Sequence, residues 1–259
     1  MKKKCAVFTI VKNEDYFIPI WIKHYQRFFD NSDIYVLDHQ SNDGSTNNLD
    51  VNVVNVTNEV AFDHQWLVET VQNFQVRLLN DYECVLFAEA DEIIYSQEMD
   101  FKYLIDKFLQ SDKPFLKCVG YEIIQDLEKE KTITKDDSII ENRNYWFHNW
   151  PYNKPLLSKV PIKWAWGFHN FSHYPPDNEN MYDFGLTLCH LHRVDFEFML
   201  KRHEDRAKNW NLKNDGHAGW YHKVGDREGV LKYFNKAVEE DNFIVFEIPE
   251  EHKIALKGL

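Results

Sequence analysis

The feature that most constrains the fold is an apolar run at residues 86–88 that ends in the carboxylates of Glu89, Asp91 and Glu92. Buried strands are apolar, and carboxylates are rarely buried unless they are paired or bound to a metal. A strand that ends in this way places an acidic site at the edge of a sheet. Carboxylate oxygens there suit a hard divalent cation, which substrate phosphates often complete. The pattern predicts metal-assisted chemistry on a phosphorylated substrate, although a solvated acidic turn would leave the same sequence pattern.

Two more predicted strands lie upstream, and each ends in a polar segment. Residues 5–11 are apolar and are followed by Lys, Asn, Glu and Asp at 12–15. The second apolar run, residues 33–37, leads into a loop of turn-forming residues at 38–45. Between the two runs, residues 16–29 carry apolar side chains at helical spacing. A strand–helix–strand unit of this kind binds ligands at the carboxyl ends of its parallel strands.

Three motifs stand at these strand ends: Val11-Lys12-Asn13-Glu14, Asp38-x-x-Ser41-x-Asp43-Gly44-Ser45 and Glu89-Ala90-Asp91-Glu92. Together they resemble the family 2-like glycosyltransferases of the GT-A fold, and most closely a bacterial and viral branch whose metal motif reads Asp-x-Asp-Glu. Later segments are similar to landmarks of the same branch: Asn153-Lys154-Pro155, Gly167-Phe168-His169 and Leu188-Cys189-His190-Leu191-His192. Glu89 departs from the usual Asp of that family, whereas Asp91, the usual direct metal ligand, is intact.

The resemblance implies an α/β protein with the GT-A fold, in which a central, mostly parallel sheet is flanked by helices and followed by an aromatic-rich acceptor half. We expect a single domain over residues 1–259. Its first half, 1–125, would bind the nucleotide sugar. Its second half, 126–259, would hold the acceptor side and the C-terminal helices.

Periodicity predicts further strands at 51–56, 83–88, 115–124 and 186–192, and helices at 64–79, 101–109 and 195–210, the last with Asp195 as its N-cap. The charged, weakly patterned residues 127–137 predict an exposed hairpin or loop. Residues 211–227, rich in Gly, Asn and His, predict a loop that could close over the donor.

The resemblance also implies the donor site. A Mg²⁺ or Mn²⁺ ion would be held by Asp91, with Glu89 binding directly or through water, and would act as a Lewis acid on the departing diphosphate. His190 and His192 would share one face of a strand, and we favour His190 as the histidine that completes the metal site. The residues expected to bind the nucleotide sugar are Thr9, Val11, Glu14, Asp38, Glu89, Ala90 and Asp91.

An inverting transfer needs a base that takes the proton of the acceptor hydroxyl. Four residues are candidates: Glu122, Asp126, His169 and Asp183. We favour Glu122, because it follows a strand beyond the metal motif, and His169, because the nearby Gly167 allows a close approach.

Two further groups of side chains suggest ligand contacts. Aromatic segments lie at 145–152 and 164–169, and Trp164 and Trp166 are the better candidates to stack on a sugar, although aromatic side chains are more often core. The helix at 195–210 carries a basic set that predicts a mostly solvated face, from which one cation could reach a phosphate: Lys201, Arg202, His203 and Arg206.

Composition restricts the partners. The net charge of −12 argues against nucleic acid, because binding a phosphate backbone requires clustered basic residues. No apolar run approaches the length of about 20 residues that spans a bilayer, although the lysines at 2–4 leave peripheral membrane contact open. The four cysteines show no paired spacing, which predicts reduced core thiols and a cytoplasmic protein.

We therefore expect a metal-dependent, inverting hexosyl- or deoxyhexosyltransferase that moves a sugar from a nucleotide-diphosphate sugar to a glycan or lipid-linked glycan. Two alternatives stay open. One is a metal-dependent hydrolase that uses His169, His190 and His192 with a carboxylate. The other is an inactive carbohydrate-binding protein on the GT-A scaffold.

Overall fold

The computed structural model describes residues 2–59, 63–171, 184–209 and 224–259. Within them the strands are β1 (Lys3–Val11), β2 (Ile34–Asp38), β3 (Asn52–Asn55), β4 (Tyr82–Phe87), β5 (Glu92–Ser96), β6 (Phe115–Lys117), β7 (Val119–Ile124), β8 (Tyr145–His148), β9 (Pro155–Ser158), β10 (Leu186–Arg193) and β11 (Val245–Glu247). The helices are α1 (Phe17–Tyr25), α2 (His64–Asp81), α3 (Phe101–Gln110), α4 (Ile139–Asn142), α5 (Phe196–Asn209), α6 (Arg227–Glu239) and α7 (Glu250–Ala255).

The first sheet has the strand order β3-β2-β1-β4-β9-β6, and its first four strands are parallel. Val11 pairs with Asp38, and Phe8 pairs with Phe87, so β1, β2 and β4 all end at the same edge. The segments that follow these strands therefore meet there, as the sequence predicts. The predicted fold class is confirmed, because the parallel-rich sheet is flanked by helices.

The second sheet has the order β11-β8-β7-β10-β5. Its pairs are antiparallel except for β7 and β10, which run parallel. One large apolar cluster joins the two sheets and the helices around them, and it includes Phe8, Trp21, Leu104 and Leu188. A smaller cluster beneath α5 and α6 contains Met199, Val230 and Phe234.

Among the described strands, the chain passes between the two sheets five times, and two of these passages take four residues or fewer. The first of these two is the acidic motif itself, between β4 in the first sheet and β5 in the second. The second is Cys118, which separates β6 from β7. The prediction of a single strand at 115–124 is therefore wrong. Both strands are buried and the apolar run continues across the change of sheet, so the pattern does not reveal the break.

Most other predicted elements are present, with ends shifted by one or two residues. The helix predicted at 16–29 is shorter, since α1 ends at Tyr25 and residues 26–29 continue as turns. The predicted loop at 127–137 is a loop. All four cysteines are buried and unpaired. In the described part of the chain, none of the helices has the length and apolar character needed to cross a membrane.

Arg143, whose side chain is fully buried, fixes the charged loop at 127–137 to α5. Its guanidinium donates to Asp195 Oδ2 at 2.9 Å and to the carbonyl of Lys131 at 3.0 Å. The same carboxylate oxygen accepts the backbone N–H of Ile133 at 3.0 Å. Asp195 also caps α5, as the sequence predicts. One buried ion pair therefore holds both the loop and the start of the helix.

We predict that Arg143→Met lowers the free energy of unfolding by about 3–5 kcal/mol, because it leaves the Asp195 carboxylate buried without its cation. Urea denaturation at neutral pH measures the change. The matched control is Arg227→Met, which removes an exposed arginine paired with Glu197 and should cause a far smaller loss. Equal losses in the two variants would contradict the role of the buried pair.

Candidate active site

A cleft of about 300 Å³ opens at the carboxyl edge of the parallel strands. Its opposite wall comes from α5 and from the segment around His169. The residues that follow β1, β2 and β4 and face this cleft are Lys12, Asn13, Glu14, His39, Glu89, Ala90 and Asp91. The sheet edge predicted to bind a ligand is thus the floor of a cavity.

The buried Lys154 holds two of the three carboxylates of the acidic motif. Its Nζ lies 2.5 Å from Glu92 Oε1 and 2.9 Å from Glu89 Oε2. Burial alone would lower the pKa of Lys154, but the two carboxylates outweigh that effect and raise it. Glu92 is fully buried, whereas the Glu89 side chain is 34% exposed toward the cleft. Glu92 therefore serves the fold, and Glu89 can reach a ligand.

Arg202 on α5 holds the third carboxylate of the motif. Its Nη1 donates to Asp91 Oδ2 at 2.6 Å, and its Nη2 donates to Glu14 Oε1 at 2.8 Å. Burial raises the pKa of Asp91, but Arg202 outweighs it and holds the pKa well below its usual range. The expectation of a mostly solvated basic face is wrong for Arg202 and His203, since both are directed inward and only Lys201 is largely exposed.

The two histidines of β10 share one face, as predicted, and their rings stack with centroids 5.7 Å apart. His190 Nε2 lies 3.7 Å from Asp91 Oδ2, and His192 Nδ1 lies 3.9 Å from the same oxygen. Burial lowers the pKa of His190, but the carboxylates of Asp91 and Glu122 outweigh it and raise the pKa. His192 continues toward His203, whose Nε2 is 3.4 Å from that of His192.

The predicted metal ligands are only partly assembled. Within the described ranges, no group of three or more His, Cys, Asp or Glu side chains is arranged to hold a metal ion. Mg²⁺, however, is usually held by one or two protein groups and completed by substrate phosphates. Asp91 Oδ2 and His190 Nε2 are close enough to supply two such groups, whereas Glu89 is held by Lys154. The donor set therefore fits a cation completed by a ligand, with Arg202 giving up part of its hold on Asp91.

His169 faces the cleft as a neutral imidazole. Its Nδ1 lies 2.9 Å from the carbonyl of Pro151, and since a carbonyl only accepts, Nδ1 carries the proton and Nε2 the lone pair. Burial and the charge of Lys154 lower the pKa of His169 to about 4. Gly167 has a φ of +75°, and a Cβ there would lie 2.9 Å from His169 Cδ2. The glycine therefore gives the ring its place, as expected from sequence.

Two other candidates for the base, Glu122 and Asp126, lie outside the described wall of the cleft. Glu122 is fully buried and forms an ion pair with Arg193 Nη1 at 2.6 Å. Burial raises the pKa of Glu122, but Arg193 and His190 outweigh burial and lower the pKa to about 2. Asp126 pairs with Lys129 at 2.7 Å, and neither Glu122 nor Asp126 is among the described residues of the cleft wall. Asp183 and most of the predicted 211–227 loop lie outside the described residues.

The predicted donor-binding residues divide into two groups. Val11, Glu14, Glu89, Ala90 and Asp91 line the cleft. Thr9 is fully buried beneath it. Asp38 accepts the N–H of Ser41 at 2.9 Å and the hydroxyl of Thr46 at 3.0 Å, so its carboxylate holds its own loop. Their roles with a nucleotide stay predictions.

Sequence reasoning missed several side chains of the cleft. His39 packs against Trp66, with ring centroids 4.4 Å apart and the rings tilted, and both residues line the cavity. Trp166, a predicted sugar contact, is 41% exposed and stacks on His64, whereas Trp164 is buried in the core. An aromatic at the start of a helix carries no signal that separates a cleft position from a core position, so only the fold reveals these residues.

The sequence matches no protein-family model and no curated protein. Among solved structures, the mannosyltransferase PcManGT from Pyrobaculum calidifontis in complex with GDP-Man and Mn²⁺ is similar at 13% identity and a TM-score of 0.29, over 48% of this chain and 36% of that one. S. aureus TarS in complex with UDP-GlcNAc is similar at 11% identity and a TM-score of 0.31, over 60% and 45% of the two chains. A mannose-1-phosphate geranyltransferase from Thermus thermophilus is similar at 7% identity and a TM-score of 0.34, over 90% and 64%. The chain spans less than two thirds of each of these proteins. Similarity at these TM-scores carries no functional argument, and the function is inferred from the side chains of the cleft.

We predict that Arg202→Met lowers the free energy of unfolding by about 2–3 kcal/mol at pH 7, less than for a fully enclosed pair because the cleft admits water. Burial already raises the pKa of Glu14 against the opposing effect of Arg202, and loss of Arg202 raises it further. The folded variant then takes up a proton as the pH falls, so its deficit relative to wild type shrinks toward pH 5.

Urea denaturation between pH 5 and pH 7 measures this difference. Lys201→Met is the matched control on the same helix, because that side chain is 62% exposed, and it should change stability by no more than about 0.5 kcal/mol. A deficit in Arg202→Met that stays constant with pH would mean that Glu14 does not depend on Arg202.

Proposed function

We propose that this chain is a glycosyltransferase of the GT-A type, formed as one domain over 1–259, that moves a hexosyl or deoxyhexosyl group from a nucleotide-diphosphate sugar to the hydroxyl of a glycan or lipid-linked glycan. One observation carries the proposal. The cleft at the carboxyl edge of β1 and β4 faces the carboxylates of Glu89 and Asp91 on one side and a neutral His169 on the other. Leaving-group control and a base are the two functions that sugar transfer requires.

The proposed reaction is a single displacement with inversion. The acceptor oxygen forms a bond to the anomeric carbon while the bond from that carbon to the diphosphate oxygen breaks. The diphosphate leaves with the electron pair of that bond, and His169 Nε2 takes the proton of the acceptor hydroxyl. Arg202 and Arg206 line the cleft and supply positive charge beside the leaving group. Val11, Glu14 and Ala90 would contact the nucleotide.

A divalent cation belongs to the proposal as a ligand-completed site. Asp91 and His190 would hold it, and Glu89 would contact it through water. Once bound, Mg²⁺ or Mn²⁺ would neutralise the charge of the departing diphosphate. Asp91 is already a carboxylate at neutral pH, because Arg202 keeps its pKa low, so no proton has to leave this carboxylate before the cation binds.

The geometry disfavours the hydrolase alternative. The ring of Tyr152 contacts both His169 and His190, with centroid distances of 5.2 and 4.1 Å. Within the described residues, no group of three or more His, Cys, Asp or Glu side chains is arranged to hold a metal ion, as that hydrolase site would require. An intact cleft is compatible with an active transferase and with an inactive carbohydrate-binding protein. Turnover of the bound donor decides between them.

A thermal-shift screen with nucleoside diphosphates and nucleotide sugars, each with Mn²⁺ or with EDTA, tests the donor site. A ligand at a hundred times its dissociation constant adds about 2.7 kcal/mol of stability, which corresponds to a rise in melting temperature of about 5–10 °C. We expect one nucleotide class to give this rise, more strongly with Mn²⁺, and the Asp91→Asn variant to lose the Mn²⁺-dependent part. The control is Asp106→Asn, an acidic position on α3 that contacts Lys4.

Stabilisation by Zn²⁺ or Fe²⁺ alone, with no nucleotide response, would contradict the glycosyltransferase proposal. Nucleotide binding without any turnover of the bound donor would favour the inactive carbohydrate-binding protein.

We predict that His169→Asn lowers kcat/KM for transfer, or for donor hydrolysis by water, by about 10²–10⁴-fold while nucleotide binding is retained. The active form of His169 is neutral and its pKa is about 4. Wild-type kcat/KM should therefore hold down to about pH 5 and fall as the pH passes through about 4, whereas the variant should lack this acidic limb. Gly167→Ala should also lose activity, because its new Cβ would displace the imidazole. An unchanged acidic limb in His169→Asn would assign the base to another group.

A further inference from the structure

A second cavity of about 550 Å³ adjoins the cleft. Three side chains, Tyr152, His169 and Tyr233, line both cavities. The two cavities therefore share a wall, and that wall carries the neutral imidazole described above. Gly120 allows Tyr152 to pack this closely, since a Cβ at residue 120 would lie 2.4 Å from Tyr152 Cβ.

Asn149, in the wall of this second cavity, carries an unsatisfied acceptor. The residue lines the cavity and is only 8% exposed. Its Nδ2 donates to Glu122 Oε2 at 3.0 Å, and because a carboxylate only accepts, this contact fixes which way the amide points. Arg193 in turn holds Glu122. Asn149 Oδ1 is buried and finds no hydrogen-bond partner among the residues that the structure describes. A buried carbonyl in this state is costly unless a ligand or water donates to it.

The remaining lining combines an aromatic face with a compensated charge pair. Trp150 exposes 68% of its surface beside the cavity, and Phe243 adds a second ring. Lys236 is paired with Asp241, and the guanidinium of Arg193 is neutralised by Glu122. Since the basic groups are already paired, the lining favours a neutral ligand over a phosphate. An aromatic platform with a few fixed polar groups suits a ring that has apolar faces and hydroxyl edges.

We propose that this second cavity is the acceptor subsite and takes a neutral pyranose, stacked on Trp150, with one hydroxyl donating to Asn149 Oδ1. The inference rests on the proposed function, because it assigns the acceptor side of the same reaction. A sugar placed there meets the donor across the shared wall, where His169 Nε2 can take the proton of its reacting hydroxyl. Glu122 then acts as a positioning residue for Asn149.

Saturation-transfer difference NMR with methyl glycosides of glucose, galactose, mannose and N-acetylglucosamine tests the subsite on the full chain. We expect at least one glycoside to receive saturation from the wild-type protein. Trp150→Ala should raise the dissociation constant of that glycoside about tenfold, the change expected from losing one aromatic stacking partner. Trp150→Phe, which keeps an aromatic face, should restore most of the affinity. Tyr103→Ala removes another exposed aromatic, on α3, and should change nothing.

The same variants are then heated with and without the nucleotide found in the thermal-shift screen, which keeps the two proposals separable. A retained nucleotide response in Trp150→Ala shows that the variant is folded. A nucleotide response with no glycoside signal, or with a signal that Trp150→Ala leaves intact, overturns the acceptor subsite and leaves the transferase proposal standing. A Trp150-dependent glycoside signal with no nucleotide response supports the sugar site and overturns the transferase.

Discussion

The buried Lys154 links the two shortest passages of the chain between its sheets, the acidic motif and Cys118. Its Nζ bonds Glu92 and Glu89 in the first passage, and its carbonyl accepts the N–H of Cys118, the second passage, at 3.0 Å. The two carboxylates, in turn, make the buried ammonium tolerable, because an unpaired charge of this kind would cost several kcal/mol. Through its side chain and its backbone carbonyl, this one residue links the acidic motif at the parallel edge to the start of β7.

The same rule governs four other enclosed acids. Asp91 and Glu14 share Arg202, Glu122 is held by Arg193, and Asp195 is held by Arg143. Each of these guanidiniums is brought in from a distant part of the chain, 188 positions away in the pair of Glu14 and Arg202. These interior acids are matched by interior bases. The net charge of −12 therefore describes mainly the surface.

Features that depend on residues close together in the sequence could be predicted. The strands β1, β2 and β4 and their shared edge followed from apolar runs that end in polar residues, and the place of His169 followed from Gly167. The sheet change at Cys118 could not be predicted, since a buried strand has the same composition in either sheet. The inward direction of Arg202 was equally hidden, because the spacing of basic residues on α5 fits a solvated face until Asp91 and Glu14 are placed opposite it. Long-range pairing, rather than propensity, decided both.

The pairing of Asp91 with Arg202 has a consequence for how the cleft can work. Neither buried group is stable without a partner. A cation that took Asp91 would leave Arg202 paired with Glu14 and would free its Nη1 donor for a further anion. A diphosphate supplies that anion, whereas a metal salt alone does not. Under the proposed function, donor and cation would therefore bind together better than either does separately, since each provides a partner for a group that the other displaces. The ion pair that stabilises the ligand-free cleft would thus also favour the complete metal–diphosphate complex.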